Sequence, residues 1–139
     1  MDKSILKGRW EILAWEQVYD DGRIVRPMGE QLAGFIEYTD SRMFVVVKPA
    51  DRARFTGGQW SASEAERAAG YSSYLSYAGR YELEGNTVLH HIEHSIYPNW
   101  EGGVQRRNAV LENGVLTLSA RFEEGTSEAR TAKLAWRKV

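Results

Sequence analysis

From Tyr77 to Ala120, apolar and polar positions alternate with a period of two, and turn residues divide the stretch into two β-hairpins. In the second hairpin, Asn113-Gly114 is the residue pair that a type I′ turn demands, with positive φ at both centres. Counting outward sets Glu112 opposite Val115, Leu111 opposite Leu116, Ala109 opposite Leu118 and Arg107 opposite Ala120. One face then carries Gln105, Arg107, Ala109, Leu111, Leu116, Leu118 and Ala120. It is more apolar than the face with Arg106, Asn108, Val110, Val115, Thr117 and Ser119, so it is assigned to the inside. Arg107 becomes an inward charge. The first hairpin turns at Gly85-Asn86 and sets Leu83 opposite Val88, Tyr81 opposite His90, Gly79 opposite Ile92 and Tyr77 opposite His94. That face, with Ile96, is aromatic and apolar, while Arg80, Glu82, His91 and Glu93 make a solvated reverse face. His90 and His94 are therefore expected to point inward and His91 outward. A one-residue slip would invert every assignment.

The same patterning predicts the rest of the chain. Residues 8–18 form a first strand with Trp10, Ile12, Ala14, Glu16 and Val18 on one face. Residues 19–31 are turn-rich, with a brief extended piece at 23–26. Residues 32–38 and 42–48 make a hairpin about Thr39-Asp40-Ser41. Only 49–72 has helical character: Ser61-Ala62-Ser63-Glu64 fits a capping box and Gly70 a helix stop, giving one short helix at about 61–70. A connection of that length in a small β domain reads as a lid over the site or as a structural plug. The last strand, about 131–138, puts Ala132, Leu134 and Trp136 on one face. This adds up to an all-β chain of about eight strands in a single domain, residues 1–139. The tight turns all fall at one end and the long loops at the other, as in an antiparallel up-and-down barrel. An eight-stranded barrel has room inside for one small ligand.

Composition narrows the function classes. A chain of 139 residues, 42% hydrophobic and 12% aromatic, can build one core. With 18 basic and 19 acidic residues the net charge is −1, which leaves no electrostatic footprint for nucleic acid. There is no cysteine, which excludes disulfides and thiol catalysis and fits a reducing compartment. The first residues lack the apolar core of a secretion signal, and the longest apolar run, Met43 to Val47, is too short to span a bilayer. A cytoplasmic protein with no membrane partner is expected. An oligonucleotide-binding barrel is disfavoured by the balanced charge and the inward aromatics.

Gly8-Arg9-Trp10 at the start of the first strand, and Arg137 beside Trp136 on the last, resemble the lipocalins and the wider calycin group. The resemblance implies that Trp10 sits at the closed end with the Arg137 side chain across it. The chain more closely resembles the bacterial and fungal lipocalin-like domain family. The carriers are Gly8-Arg9-Trp10, Gly34-Phe35-Ile36-Glu37-Tyr38, Tyr77-Ala78-Gly79-Arg80-Tyr81, His90-His91-Ile92-Glu93-His94-Ser95, Pro98-Asn99-Trp100 and Leu134-Ala135-Trp136-Arg137. Members of that family mostly lack an assigned activity, and some look like accessory proteins or enzymes of secondary metabolism. The resemblance supplies no catalytic residue set.

The chemistry must then be read from the inward polar residues. His90 and His94 are ~13 Å apart on a strand at about 3.3 Å per residue, and His91 faces away, so no metal site and no cofactor are expected. Inward His90, beside Tyr81, suits a core histidine hydrogen-bonded to a tyrosine. If Ile96 lies opposite Gln105, then His94 lies opposite Arg107. Tyr77, His94, Gln105 and Arg107 would then cluster under the lid, with Glu16 toward the same end. A buried Arg107 needs a partner, either Glu16 or an anionic ligand group. Catalysis would draw on His94 with Tyr77, or His90 with Tyr81, with Arg107 facing an oxyanion. Trp60 and Trp100 fall in mouth loops, as entrance lining or as loop anchors. The expected function is binding of a small, largely apolar or amphiphilic molecule, neutral or anionic, at Tyr77, His90, His94, Gln105, Arg107 and Glu16. The alternatives are an isomerase, cyclase or dehydratase using the same pocket, and a filled barrel acting as an interaction module. A homodimer is left open.

Overall fold

Three tight turns, at 39–41, 85–86 and 113–114, set the topology. Asn113 and Gly114 both have positive φ, 53° and 78°, the type I′ signature. At Gly85-Asn86 only the glycine is positive, at 60°, which is the II′ pattern. The computed structural model describes residues 1–139. Its strands are β1 (Gly8–Tyr19), β2 (Ile24–Val25), β3 (Leu32–Tyr38), β4 (Arg42–Pro49), β5 (Leu75–Glu84), β6 (Thr87–Ser95), β7 (Val104–Glu112), β8 (Val115–Phe122) and β9 (Arg130–Lys138). All pairings are antiparallel. From β3 onward each strand lies beside its sequence neighbours, β1 pairs with β3, and β1 also pairs with β9 over residues 10–19, which closes the sheet. The two-residue β2 hangs on the end of β1 outside the ring, so the barrel itself has eight strands. No helix is long and apolar enough to cross a membrane.

Two bulges interrupt the alternation. In β1 the register shifts between Ile12 and Ala14, leaving Leu13 without a partner on β9 and exposed. Beyond it the faces exchange, so Trp15 and Gln17 turn inward and Glu16 turns out, against the expectation of an unbroken face through Glu16. In the β5–β6 pair the register shifts between Ala78 and Gly79. Gly79 still faces Ile92, but Tyr77 faces Ser95, and His94 moves to a position opposite Ala78. His94 is therefore exposed on the outer surface rather than inward beside Tyr77.

The closed end is plugged by a short N-terminal helix, α1 (Lys3–Leu6). Leu6 is fully buried, and its carbonyl accepts a 2.8 Å hydrogen bond from the Trp10 indole N–H. The residue across Trp10 is Lys138, with Nζ 5.2 Å from the ring centre. Arg137, expected there, is exposed and pairs on the ladder with Glu11. Strand parity explains the exchange: Trp136 is inward, so Arg137 is outward, and Lys138 at the barrel's end is free to fold under it. Above α1 the core runs through Ile36, Tyr38, Val45, Tyr81, Val88, Ile92 and Leu116 to Trp136.

The second helix, α2 (Glu64–Ser72), begins and ends later than expected. Ser63 is its N-cap and accepts from the Glu66 N–H at 3.1 Å. The Glu66 carboxylate reaches Thr56 as well as the backbone of the Ser63 cap, accepting from the Thr56 N–H at 2.7 Å and hydroxyl at 3.1 Å. Gly70 lies inside the helix, where the Phe55 ring approaches so closely that a Cβ would meet it at 2.6 Å.

At Gly79 a Cβ would lie 1.8 Å from the His91 carbonyl oxygen, and backbone cannot yield as a side chain can. Gly79→Ala should therefore destabilise the protein by about 2–3 kcal/mol, read as a lower urea midpoint at unchanged m-value. An unchanged midpoint would mean that the β5–β6 bulge is more yielding than its geometry implies.

Candidate functional site

The interior is only partly filled. A cavity of about 210 Å³ lies above the core, walled by Ile36, Val45, Leu75, Leu118, Ala132 and Leu134. Four aromatic side chains, Trp15, Trp100, Phe122 and Trp136, give it flat surfaces. Its polar lining is Gln17, Tyr77, His90, Arg107 and Arg130. No residue from 50 to 74 contributes, so α2 and its loop are not a lid over this cavity. Trp60, in that loop, is 85% exposed and neither lines an entrance nor anchors anything. The cover comes from the 98–103 connection. A 3₁₀ turn at Pro98–Trp100 folds back so that the Gly102 N–H donates to the Ile92 carbonyl, and Trp100 meets Tyr77 edge-on at 5.7 Å.

That fold-back also corrects the register between β6 and β7. His90 faces Gln105 and Val88 faces Arg107, six positions from the expected pairing of His94 with Arg107. The shift is even, so Arg107 still points inward. It lines the cavity, whereas Gln105 is half-buried beside His90 and does not.

His90 is the polar floor. Tyr77 Oη lies 2.8 Å from Nδ1 and Tyr38 Oη 2.7 Å from Nε2, so both ring nitrogens are engaged by buried tyrosines. Tyr81, its ladder neighbour, instead donates to the Thr39 carbonyl at 2.6 Å and lies below the cavity. The sheet's curvature carries Tyr38, from the far side of the barrel, into the place that flat-ladder counting assigned to Tyr81. Burial, then the nearby Arg107 charge, lowers the His90 pKa to about 3. Burial raises Tyr77, which the Arg107 guanidinium opposes, and raises Tyr38 well above the ordinary tyrosine value. The trio is thus neutral near pH 7. The imidazole donates from one nitrogen and accepts at the other, so one tyrosine donates to the ring and the other accepts from it.

The remaining candidates disperse. Glu16 is outside, paired with Arg26 at 3.2 Å, and makes no contact with Arg107. His94 shares a shallow outer depression with Phe44 and Tyr74. His91 faces out and bonds Glu82 at 3.1 Å. No three His, Asp or Glu side chains are gathered closely enough to hold a metal ion.

Five cavity-side residues escaped sequence reasoning: Tyr38, Trp15, Gln17, Phe122 and Arg130. Trp10 and Trp15 are an odd number of residues apart, so both can be inward only across a bulge, and that spacing was a usable signal. Arg130 shares the parity of Ala132, Leu134 and Trp136, and the predicted strand simply began one residue too late.

Residues 7–139 match the family model described as a lipocalin-like domain. A 4'-hydroxy-3'-methoxypropiophenone carrier protein, ppsC, of Aspergillus oryzae (strain ATCC 42149 / RIB 40) is 36% identical where the two align, over 42% of this chain. The chain spans 60% of the length of that curated relative. The crystal structure of an uncharacterized protein from Bacteroides eggerthii DSM 20697 is similar at 15% identity, covering 96% of this chain and 99% of that one, with a TM-score of 0.49.

The His90 environment has a consequence for stability. Its folded pKa, about 3, lies below the unfolded value near 6.5, so the unfolded state binds the extra proton between them. The His90 contribution is fully present above the unfolded pKa and is lost as pH falls from there toward about 3, at up to about 1.4 kcal/mol per pH unit. In urea titrations across that window, His90→Gln should fall less steeply with acid than the wild type. Parallel curves would show that His90 is not held neutral.

Proposed function

This chain belongs to the lipocalin-like domain family, and on that premise we propose that its barrel binds one small, largely apolar molecule carrying oxygen acceptors. The observation that carries the reading is the partly open cavity of about 210 Å³ with aromatic walls and a polar floor. An apolar cavity of ~150 Å³ suffices for benzene, so this one suits a single substituted ring. It is below the ~300 Å³ at which drug-sized ligands begin. The ppsC relative is named a carrier of an oxygenated aryl ketone, a molecule of that size class. Two buried indole N–H groups, of Trp15 and Trp136, have no partner in the protein, and both residues line the cavity. Their nitrogens are sealed from the cavity, so a ligand oxygen is met by the polar lining instead. Tyr77, His90 and Arg107 form the polar end of the site. A cysteine-free chain suits a cytoplasmic binding protein.

The Tyr77–His90 pair favours binding over proton transfer. A tyrosine with a raised pKa is a poor acid, and an imidazole with a pKa about 3 is a poor base near neutrality. The trio is a fixed neutral platform that orients a ligand.

Titration calorimetry with 4'-hydroxy-3'-methoxypropiophenone should show saturable one-to-one binding. Ala132→Phe, which fills the cavity from its wall, should weaken binding at least about tenfold while the far-ultraviolet spectrum is unchanged. Binding that persists in this variant would place the ligand elsewhere.

A further inference from the structure

The hydrogen-bonding character of the cavity is one-sided. No aspartate or glutamate lines it, while two guanidinium groups do, those of Arg107 and Arg130. Their carbon centres lie 5.7 and 5.8 Å from the centre of the same ring, Phe122, so both stand at one end of the cavity. Neither belongs to any of the chain's ion pairs. The nearby Glu128 carboxylate is held by Arg23 at 3.2 Å and offers Arg130 only its backbone carbonyl, at 3.0 Å. Gln17 directs its side-chain oxygen at Arg130 Nε. Arg107 makes one long bond of 3.3 Å, to the Arg106 carbonyl, and its guanidinium also reaches the Tyr77 hydroxyl. Arg130 therefore retains unused donors on Nη2, and neither guanidinium has a carboxylate partner.

A guanidinium that lines a partly enclosed cavity without a counter-charge is suited to an anionic ligand group. Here the charged groups facing the cavity are both donors, the guanidinium edges of Arg107 and Arg130. An amine would meet repulsion, and a neutral ester or ketone would leave the charges uncompensated. A carboxylate accepts from two guanidinium edges at once, with the planar geometry that arginine favours. The aromatic walls and the small volume then fix the rest of the molecule as one ring.

We propose that the physiological ligand is a single-ring aromatic acid, its carboxylate held by Arg107 and Arg130 beside Phe122 and its ring among Trp15, Trp100 and Trp136. This rests on the reading of the barrel as a ligand-binding site and adds to it a preference by charge.

The test is calorimetric titration of the protein with 3-phenylpropionate, its methyl ester, 3-phenylpropylamine and neutral propiophenone. The acid should bind about tenfold or more tightly than the ester, and the amine should be the weakest. Arg130→Met and Arg107→Met should each erase most of the acid's advantage over its ester, read as the ratio of the two affinities in each variant. Should Arg107→Met fail to fold, Arg130→Met, nearer the rim, decides alone. An acid no tighter than its ester, with propiophenone still bound, would overturn the charge preference and leave the binding barrel standing. An acid advantage unchanged in Arg130→Met would likewise overturn the assignment to this pair. Absence of binding by all four probes would remove both readings.

Discussion

The bulge at Leu13 is the constraint on which the interior depends. β1 pairs with β9 along nearly its whole length and so closes the barrel. Closure commits every side chain of both strands either to the inside or to solvent. With regular alternation, Glu16 would enter the interior and Trp15 would leave it. One extra residue reverses both. The cavity gains an indole and an amide, and the carboxylate is sent out to Arg26. The absence of acidic groups inside, and therefore the unmatched state of Arg107 and Arg130, follows from this one irregularity.

A second bulge, beside Gly79, acts on the opposite wall. It expels His94 and keeps Tyr77 over His90, and the backbone approach that it requires admits no side chain at residue 79. What remains inside is one histidine bonded at both nitrogens. Deep burial and the Arg107 charge keep it neutral. The polar floor is thus rigid and uncharged, while the cations stand at the Phe122 end. The cavity has two regions: a neutral platform below and a positive edge beside Phe122, joined by flat aromatic walls. The barrel's covering also differs from what loop length suggests. The longest loop and its helix α2 stand aside, and the short 98–103 turn folds Trp100 over Tyr77.

Much of the architecture was legible because it rests on local rules. Asn113-Gly114 specifies a turn by its backbone alone, and the pairing of Leu111 with Leu116 and Ala109 with Leu118 follows by counting. The first hairpin could be counted as far as Gly79 and Ile92 and failed one residue later, at the bulge. The inward position of Arg107 survived a register error of six because six is even, so parity was secure even where depth was not. His90 could be identified as a core histidine held by tyrosine. Tyr38 could not be identified as its partner, because the two are 52 residues apart and meet only across the barrel.

The sequence by itself determined which segments are strands, where they turn, that the sheet closes, and that His90 and Arg107 face inward. These follow from period-two patterning and from the φ demands of turn residues, which act over a few neighbours. Only the tertiary structure decided that Glu16 and His94 lie outside, that Trp15, Gln17 and Arg130 lie within, and how much space the side chains leave. Bulges and inter-strand stagger are resolved by packing among strands distant in sequence. Cavity volume is the remainder after all inward side chains are placed, so no single stretch of the chain encodes it.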